Sequence, residues 1–455
     1  MTLDLTGRAA RLHRLAVTDR GATWAWRAAL ALSAAVYAVI GNRQWFNRDD
    51  WAFVLTREKM RRAGGWDDWL FDAQDGHWLT VPILLFKFVG EVFGIDSYWP
   101  FLLLALGSHV GAVALCRLVC LRIGVSPWTT TLLAGSLLVF GPGWHNIVFA
   151  IQVCYSLSLC CFFAQLLLVD HDGGLGRRDV AAAVIGVVGV TTSGFGPILT
   201  AGVAVLLLLR RRWVPLVVVV GPAALAYGWW SLTWAHNRVN DTLPGDRPQV
   251  PAYVVRGISA TFEGLVGFPS LAGLAVLATV ATLFGGAGWA TRRVSLALAA
   301  TVLVMFGGIG WERIGFGVAS AGSSRYVGVA ALLLAPAFGV AVDRARRLSP
   351  DVLTAVRLVL VAALVVNLGT LRSASATFAR ASRQEQLAFD LVAGADLAGV
   401  SPEHVPVPNS PDVTVGDLAD LVARGAITPR QPGDPSETAL LQAALATGLQ
   451  PAPMP

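Results

Sequence analysis

Two adjacent carboxylates, Asp49 and Asp50, stand in the stretch NRDDWAF just after the first apolar segment, and the apolar WAFVL behind them pulls the pair toward a membrane surface. A carboxylate held where water is partly excluded binds a proton more tightly, which suits it to act as a general base. Its neighbour can then position a substrate or hold a divalent cation. Far along the chain, Arg325 in SSRYVGVAALLLAP opens another apolar run. Its guanidinium can grip an oxyanion through two parallel hydrogen bonds, while Tyr326 can flank an apolar chain. The plainer reading of that pair is an interfacial anchor whose arginine snorkels. Arg313 in GWERIGFG is the second cation, beside Glu312 as an ion-pair partner. His77 in DGHWLTVP, and His145, Asn146 and Gln152 in GPGWHNIVFAIQ, offer neutral donors and acceptors for hydroxyl groups. A structural hydrogen bond explains His77, and a polar helix contact Gln152, equally well, and His109, inside an apolar run, reads as packing.

The elements that must carry these residues follow from composition. Hydrophobic residues make up 55% of 455 positions and charged residues 14%, with a mean hydropathy of +0.60, values that leave too little charge to clothe a soluble domain of this length. The chain therefore reads as an all-α, polytopic transmembrane bundle. Its net charge of +6 comes almost wholly from arginine, and the arginines cluster. Loops that face the cytoplasm carry an excess of Lys and Arg. The N-terminal residues Arg8 to Arg20, then Arg117 with Arg122, Arg177 with Arg178, the run from Arg210, Arg292 with Arg293, and the group around Arg344 accordingly face inward. Loops rich in Trp, Gly, Pro and His alternate with them and face outward. The solution has about eleven spans: 24–42, 99–121, 128–141, 147–169, 180–194, 196–209, 213–234, 268–290, 294–310, 325–342 and 352–370. If the run from Trp78 also crossed, every later cluster would change sides, so with Lys87 and Glu91 in it, it reads as a helix lying in the outer interface.

Three regions result: a basic cytoplasmic tail over 1–23, a transmembrane domain over 24–370 with a first outer loop at 43–98, and a small extracytoplasmic C-terminal segment over 371–455. The segment at 1–45 lacks a small-residue cleavage pattern and reads as a signal anchor. In the C-terminal segment, SPEHVPVPNSPD is a proline-rich linker, VTVGDLADLVARGAITP suits a short helix after a strand, and the terminal QPAPMP looks disordered. In the first outer loop, Asp67, Asp68, Asp72 and Asp75 read as solvating carboxylates, and Trp45, Trp51, Trp66 and Trp69 as an aromatic belt. The five cysteines all lie in apolar runs, where they behave as small hydrophobes outside any disulfide framework. Zinc-ligand spacing, a phosphate loop and a Ser-His-Asp set are all missing, and the arginine pattern reads as topology rather than nucleic-acid binding.

An acidic pair after span one, a long first outer loop with interfacial helices, about eleven spans and an outer C-terminal segment together resemble the GT-C superfamily of polytopic glycosyltransferases. The resemblance covers roughly 24–370, and within it the chain is distantly similar to the protein mannosyltransferases and aminoarabinose transferases, with Asp-Asp where those favour Asp-Glu. It implies transfer of a sugar, with inversion, from a polyprenyl-phosphate donor to a glycan, lipid or protein acceptor on the outer face of the cytoplasmic membrane. It also implies that Asp49 or Asp50 is the base, with Asp49 favoured, and that His77 borders the sugar site. A sugar on a lipid phosphate already has a good leaving group, so one carboxylate near the acceptor hydroxyl and one arginine near the departing phosphate suffice. Whether a divalent cation takes part stays open. A transporter or lipid flippase, or a non-catalytic scaffold for envelope assembly, is the rival reading. Against a transporter, nearly every acidic residue maps to a membrane interface rather than to the midplane.

Overall fold

The computed structural model describes residues 19–235, 242–285 and 288–446. The expected basic tail up to residue 18, the terminal QPAPMP and residues 236–241 of the outer stretch lie outside them. Helix α1 (Asp19–Gly41) is followed by three helices of the first loop, α2 (Arg57–Arg62), α3 (Trp66–Phe71) and α4 (Thr80–Phe93). The bundle continues through α5 (Trp99–Arg122), α6 (Pro127–Leu138), α7 (Val153–Val169), α8 (Arg177–Val190), α9 (Phe195–Leu209) and α10 (Trp213–Thr233). Then come α11 (Val250–Val266), α12 (Pro269–Phe284), α13 (Trp289–Arg313), α14 (Ser324–Arg344) and α15 (Pro350–Gly394). Two short helices, α16 (Leu418–Ala423) and α17 (Pro435–Leu445), close the tail.

Proline sets several starts. Pro127, Pro269 and Pro350 open α6, α12 and α15, where the missing N–H has no helical partner to lose, and Ser349 caps α15 by accepting from the Val352 amide at 3.1 Å. Among the described residues seven helices are long and apolar enough to cross a membrane, or eight if the pair broken between α11 and α12, bent by 106°, is one span. The chain is thus a multi-pass membrane protein. Leucines and valines such as Leu32, Val217, Leu232, Leu274 and Leu277 stand exposed on the bundle, a surface suited to lipid. Helix α4 has 14 residues, and its Lys87 pairs with Glu58 of α2 at 2.8 Å, which ties it to the first loop.

The arginine clusters converge at one end. Arg122 and Arg210 both pair with Asp170, Arg210 and Arg293 reach Asp172 at 3.0 and 3.7 Å, and Arg212 meets Asp179 at 3.1 Å. At the other end the first loop and the C-terminal segment share one hydrophobic cluster, in which Trp45, Phe46 and Trp51 pack with Phe389, Val413 and Leu421. Several expectations change here. Trp45, Trp51 and Trp69 are buried in this cap rather than arranged as an interfacial belt, because the tail folds over them. The segment expected to start at residue 371 begins inside α15, which runs unbroken for 45 residues, so the last span and the base of the cap are one element. The short helix expected near residue 418 is present, while the strand before it is a single helical turn, Val415–Asp417. Residues 250–263, the latter part of a stretch from residue 235 expected as an outer loop, belong to the helix α11.

Candidate functional site

Asp49 sits at the end of an irregular link between α1 and a π-helical turn, Ala52–Thr56, that leads into α2. Residues in such widened turns recur at functional sites because the extra residue re-aims the neighbouring side chains. The link is held from three sides. Asp50 is fully buried: its Oδ1 accepts from the Ile151 amide at 3.1 Å, and its Oδ2 from the Tyr98 hydroxyl at 3.0 Å and the Asn47 amide at 3.3 Å. The Tyr98 oxygen itself accepts from the Ala150 amide at 2.8 Å. From the tail, Ser410 accepts from the Arg48 amide at 3.0 Å and donates to Glu385 at 2.8 Å. The acidic pair therefore splits into two roles. Asp50 clips the link to the turn before α7, and with both oxygens committed inside the protein it does not fit the expected part of orienting an acceptor or holding a cation. Burial pushes its carboxyl up to about 8, against the hydrogen bonds from Tyr98, Asn47 and Ile151.

Asp49 faces a narrow neck of about 50 Å3 that it lines with Gln74, Asp75, His77, Gln152, Tyr155, Arg313 and Arg325, among others. Burial raises its proton affinity, Asp75 raises it further, and Arg325 and Arg48 act in the opposite sense. Through Asp75, His77, Tyr155 and Arg313 the neck continues into a cavity of about 540 Å3. That cavity has an apolar wall of Phe195, Pro197, Ile198, Ile309 and Trp311 and a polar one of Asp75, His77, Glu312 and Arg313, so a chamber of mixed character leads to a charged throat.

His77 reaches the throat because two anchors fix its loop. Buried Arg57 donates to the carbonyl oxygens of Asp68, Trp69 and Asp72 at 3.1, 3.3 and 2.9 Å, closing the C-terminal end of α3 where a cation is favourable. Trp78 stacks on Trp230 of α10 at 5.6 Å, and the Trp230 indole donates to the Phe71 carbonyl at 2.7 Å. Between these anchors Gln74 and His77 exchange backbone hydrogen bonds of 3.0 and 2.9 Å across Asp75 and Gly76, whose φ values of 51° and 76° make a type I′ turn.

Arg325 is presented by the first turn of α14. His145 Nδ1 bonds the Ser324 hydroxyl at 2.7 Å, and the Asn146 amide donates to the Arg325 carbonyl at 3.0 Å. Close approach is required there: a Cβ on Gly328 would lie 2.5 Å from the Asn146 side chain. The Arg325 guanidinium lies 5.0 Å from the centre of the Tyr326 ring, and its buried Nε has no hydrogen-bond partner in the protein. Sequence reasoning assigned His145 and Asn146 to sugar hydroxyls. In the structure His145 holds the Ser324 side chain and Asn146 the backbone of Arg325, and burial, then Arg325 and Arg48, push the His145 imidazole down to about 3, so it is neutral.

The structure thus brings Asp49, His77, Gln152, Arg313, Arg325 and Tyr326 to connected cavities and keeps Asp50, His145 and Asn146 behind them. Arg313 and Glu312 both line the larger cavity, and among the described residues they form no ion pair with each other. Asp75 and Tyr155 were missed. The Asp-Gly dipeptide of Asp75 was a legible hairpin signal, whereas nothing separated Tyr155 from an ordinary helix-packing aromatic. Among the described residues no three His, Cys, Asp or Glu side chains form a group able to hold a metal ion.

No family model matches the sequence, and no curated protein does. Among solved structures, the fold is similar to that of ArnT from Cupriavidus metallidurans, crystallised bound to undecaprenyl phosphate, with a TM-score of 0.52 at 14% identity. The match covers 91% of this chain and 87% of that one. The chain therefore shares an overall fold with that protein over most of its length.

Proposed function

We propose that the protein is a membrane glycosyltransferase that takes a sugar from a polyprenyl-phosphate donor and passes it, with inversion, to a hydroxyl of a glycan, lipid or protein acceptor. The observation that carries this reading is the juxtaposition of Asp49 with Arg325 in one throat, opening into a chamber with one apolar wall and a second arginine, Arg313. The polyprenyl chain lies along the apolar wall, and its phosphate meets Arg325 and Arg313. The sugar then fills the throat beside His77 and Gln152. Asp49 takes the proton of the acceptor hydroxyl as its oxygen attacks the anomeric carbon, and the bond to phosphate breaks on the opposite face. Negative charge grows on the departing phosphate, where fixed guanidinium groups stabilise the transition state more than the ground state. Lipid extracts of cells lacking the protein should accumulate a polyprenyl-phosphate sugar that disappears when the gene is restored. Unchanged lipid-linked sugars, together with no transfer by the purified protein from any such donor, would defeat the reading.

The same reading sets the topology. With eleven crossings of the cytoplasmic membrane, the arginine-rich end lies inside with the N-terminus, and the cap, made of the first loop and the C-terminal segment, lies outside. Reporter fusions at residues 60 and 400 should report the same, outer side, and a fusion at residue 175 the inner side. Opposite sides for 60 and 400 would mean that the crossings are miscounted.

A further inference from the structure

We propose that Asp75 is a positioning residue that acts through Asp49, its carboxylate at the throat making Asp49 the stronger proton acceptor during transfer. The inference rests on Asp49 being the base. Its first support is the turn itself. A type I′ turn needs positive φ at both central positions, and Asn-Gly serves that need at least as well as Asp-Gly. The backbone conformation of Asp75, with φ of 51°, therefore does not explain why an acid stands there. The second support is where the turn lies. Asp75, exposed at the tip of the turn, lines both the throat and the chamber, so it borders the same throat as Asp49.

The charged and titratable groups facing Asp49 come from every element around it. Asp75 comes from the turn, Arg325 from the start of α14, Arg48 from its own link and Asp412 from the tail, while His77, Arg313, Cys154 and Tyr155 line the same throat. After burial, Asp75 has the largest influence on Asp49, and it opposes the two arginines. Donor binding changes this balance. A phosphate on Arg325 offsets the positive charge that favours the ionised form of Asp49, and Asp75 then acts with less opposition. Asp49 thus becomes a better base once the sugar is in place, because a like charge nearby disfavours the ionised form and a stronger base removes a hydroxyl proton more readily.

The test is Asp75→Asn, a change the turn accepts, compared with the wild type in purified protein. The acid limb of the pH profile of kcat/KM should move to lower pH, because the like charge that held the proton on Asp49 is gone. The plateau should fall by less than about tenfold, as suits a weakened but present base. An acid limb that does not move overturns the inference and leaves Asp75 a turn residue. A loss as deep as that of Asp49→Asn also overturns it, since Asp75 would then take the proton itself. Undecaprenyl phosphate affinity followed across pH gives a readout without turnover: it should strengthen as Asp49 takes up its proton, at a midpoint that is lower in Asp75→Asn. Full activity in Asp49→Asn marks failure of the underlying reading. An inactive Asp49→Asn with unmoved profiles in Asp75→Asn marks failure of this inference alone.

Discussion

Asp49→Asn should abolish glycosyl transfer, lowering kcat by at least the roughly 10²-fold that loss of a general base costs, while undecaprenyl phosphate still binds. The amide keeps the shape of the side chain and its hydrogen bonding but cannot take the proton of the acceptor hydroxyl. The direction of the pH dependence follows from the throat. Burial and Asp75 raise the proton affinity of Asp49, so wild-type activity should be lost as pH falls through a value above the ordinary carboxylate range. The asparagine variant should lose that limb along with its rate. Asp50 is the control, because Asp50→Ala leaves the Ile151 amide, the Asn47 amide and the Tyr98 hydroxyl without their buried acceptor. Each stranded group costs about 1–3 kcal/mol, so that variant should fail chiefly in thermal stability and folded yield. Near-normal transfer in Asp49→Asn, measured as sugar moved from a lipid-linked donor, would remove Asp49 from the chemistry and favour a transporter or a scaffold.

How much of this was legible in the sequence depends on the kind of signal. The acidic pair is one signal, and one of its two carboxylates lines the throat, but adjacent residues point to different sides and the sequence could not say which would be buried. Asp50 is fixed by Tyr98 and Ile151, 48 and 101 residues away, a long-range arrangement that no local pattern encodes. The arginine clusters indicated the two ends because their signal is compositional and repeated, and contacts such as Arg122 and Arg210 on Asp170 place them together. The protein partners of His145 and Asn146 were hidden for a physical reason. A polar residue at an outer turn can serve a ligand or a neighbouring backbone, and only the close crossing at Gly143 and Gly328 decides for the backbone of Arg325. The burial of Trp45 and Trp51 was hidden in the same way, because it requires the tail to return over a loop more than 300 residues earlier.

Arg325→Lys should lower kcat/KM by about tenfold or more, and Arg325→Ala by the roughly 10²- to 10³-fold typical of removing one preorganised donor from a developing charge. The lysine keeps the positive charge but replaces a planar fork with a point donor on a flexible stem, so it cannot span two phosphate oxygens. The site is built for the fork. His145 and Asn146 fix the helix turn, Tyr326 lies beneath the guanidinium, and the buried Nε has no hydrogen-bond partner in the protein. Undecaprenyl phosphate should bind both variants more weakly, which separates loss of the phosphate site from loss of the base. The pH profile supplies a second check. Arg325 favours the ionised form of Asp49, so without it the acid limb of Arg325→Ala should move to higher pH, opposite to the shift in Asp75→Asn. Arg313 lines the same throat and keeps part of the phosphate site, so the alanine variant should retain residual transfer that Arg325→Ala combined with Arg313→Ala loses. Wild-type turnover with both lysine and alanine at position 325 would exclude Arg325 from the leaving-group site and leave that role to Arg313.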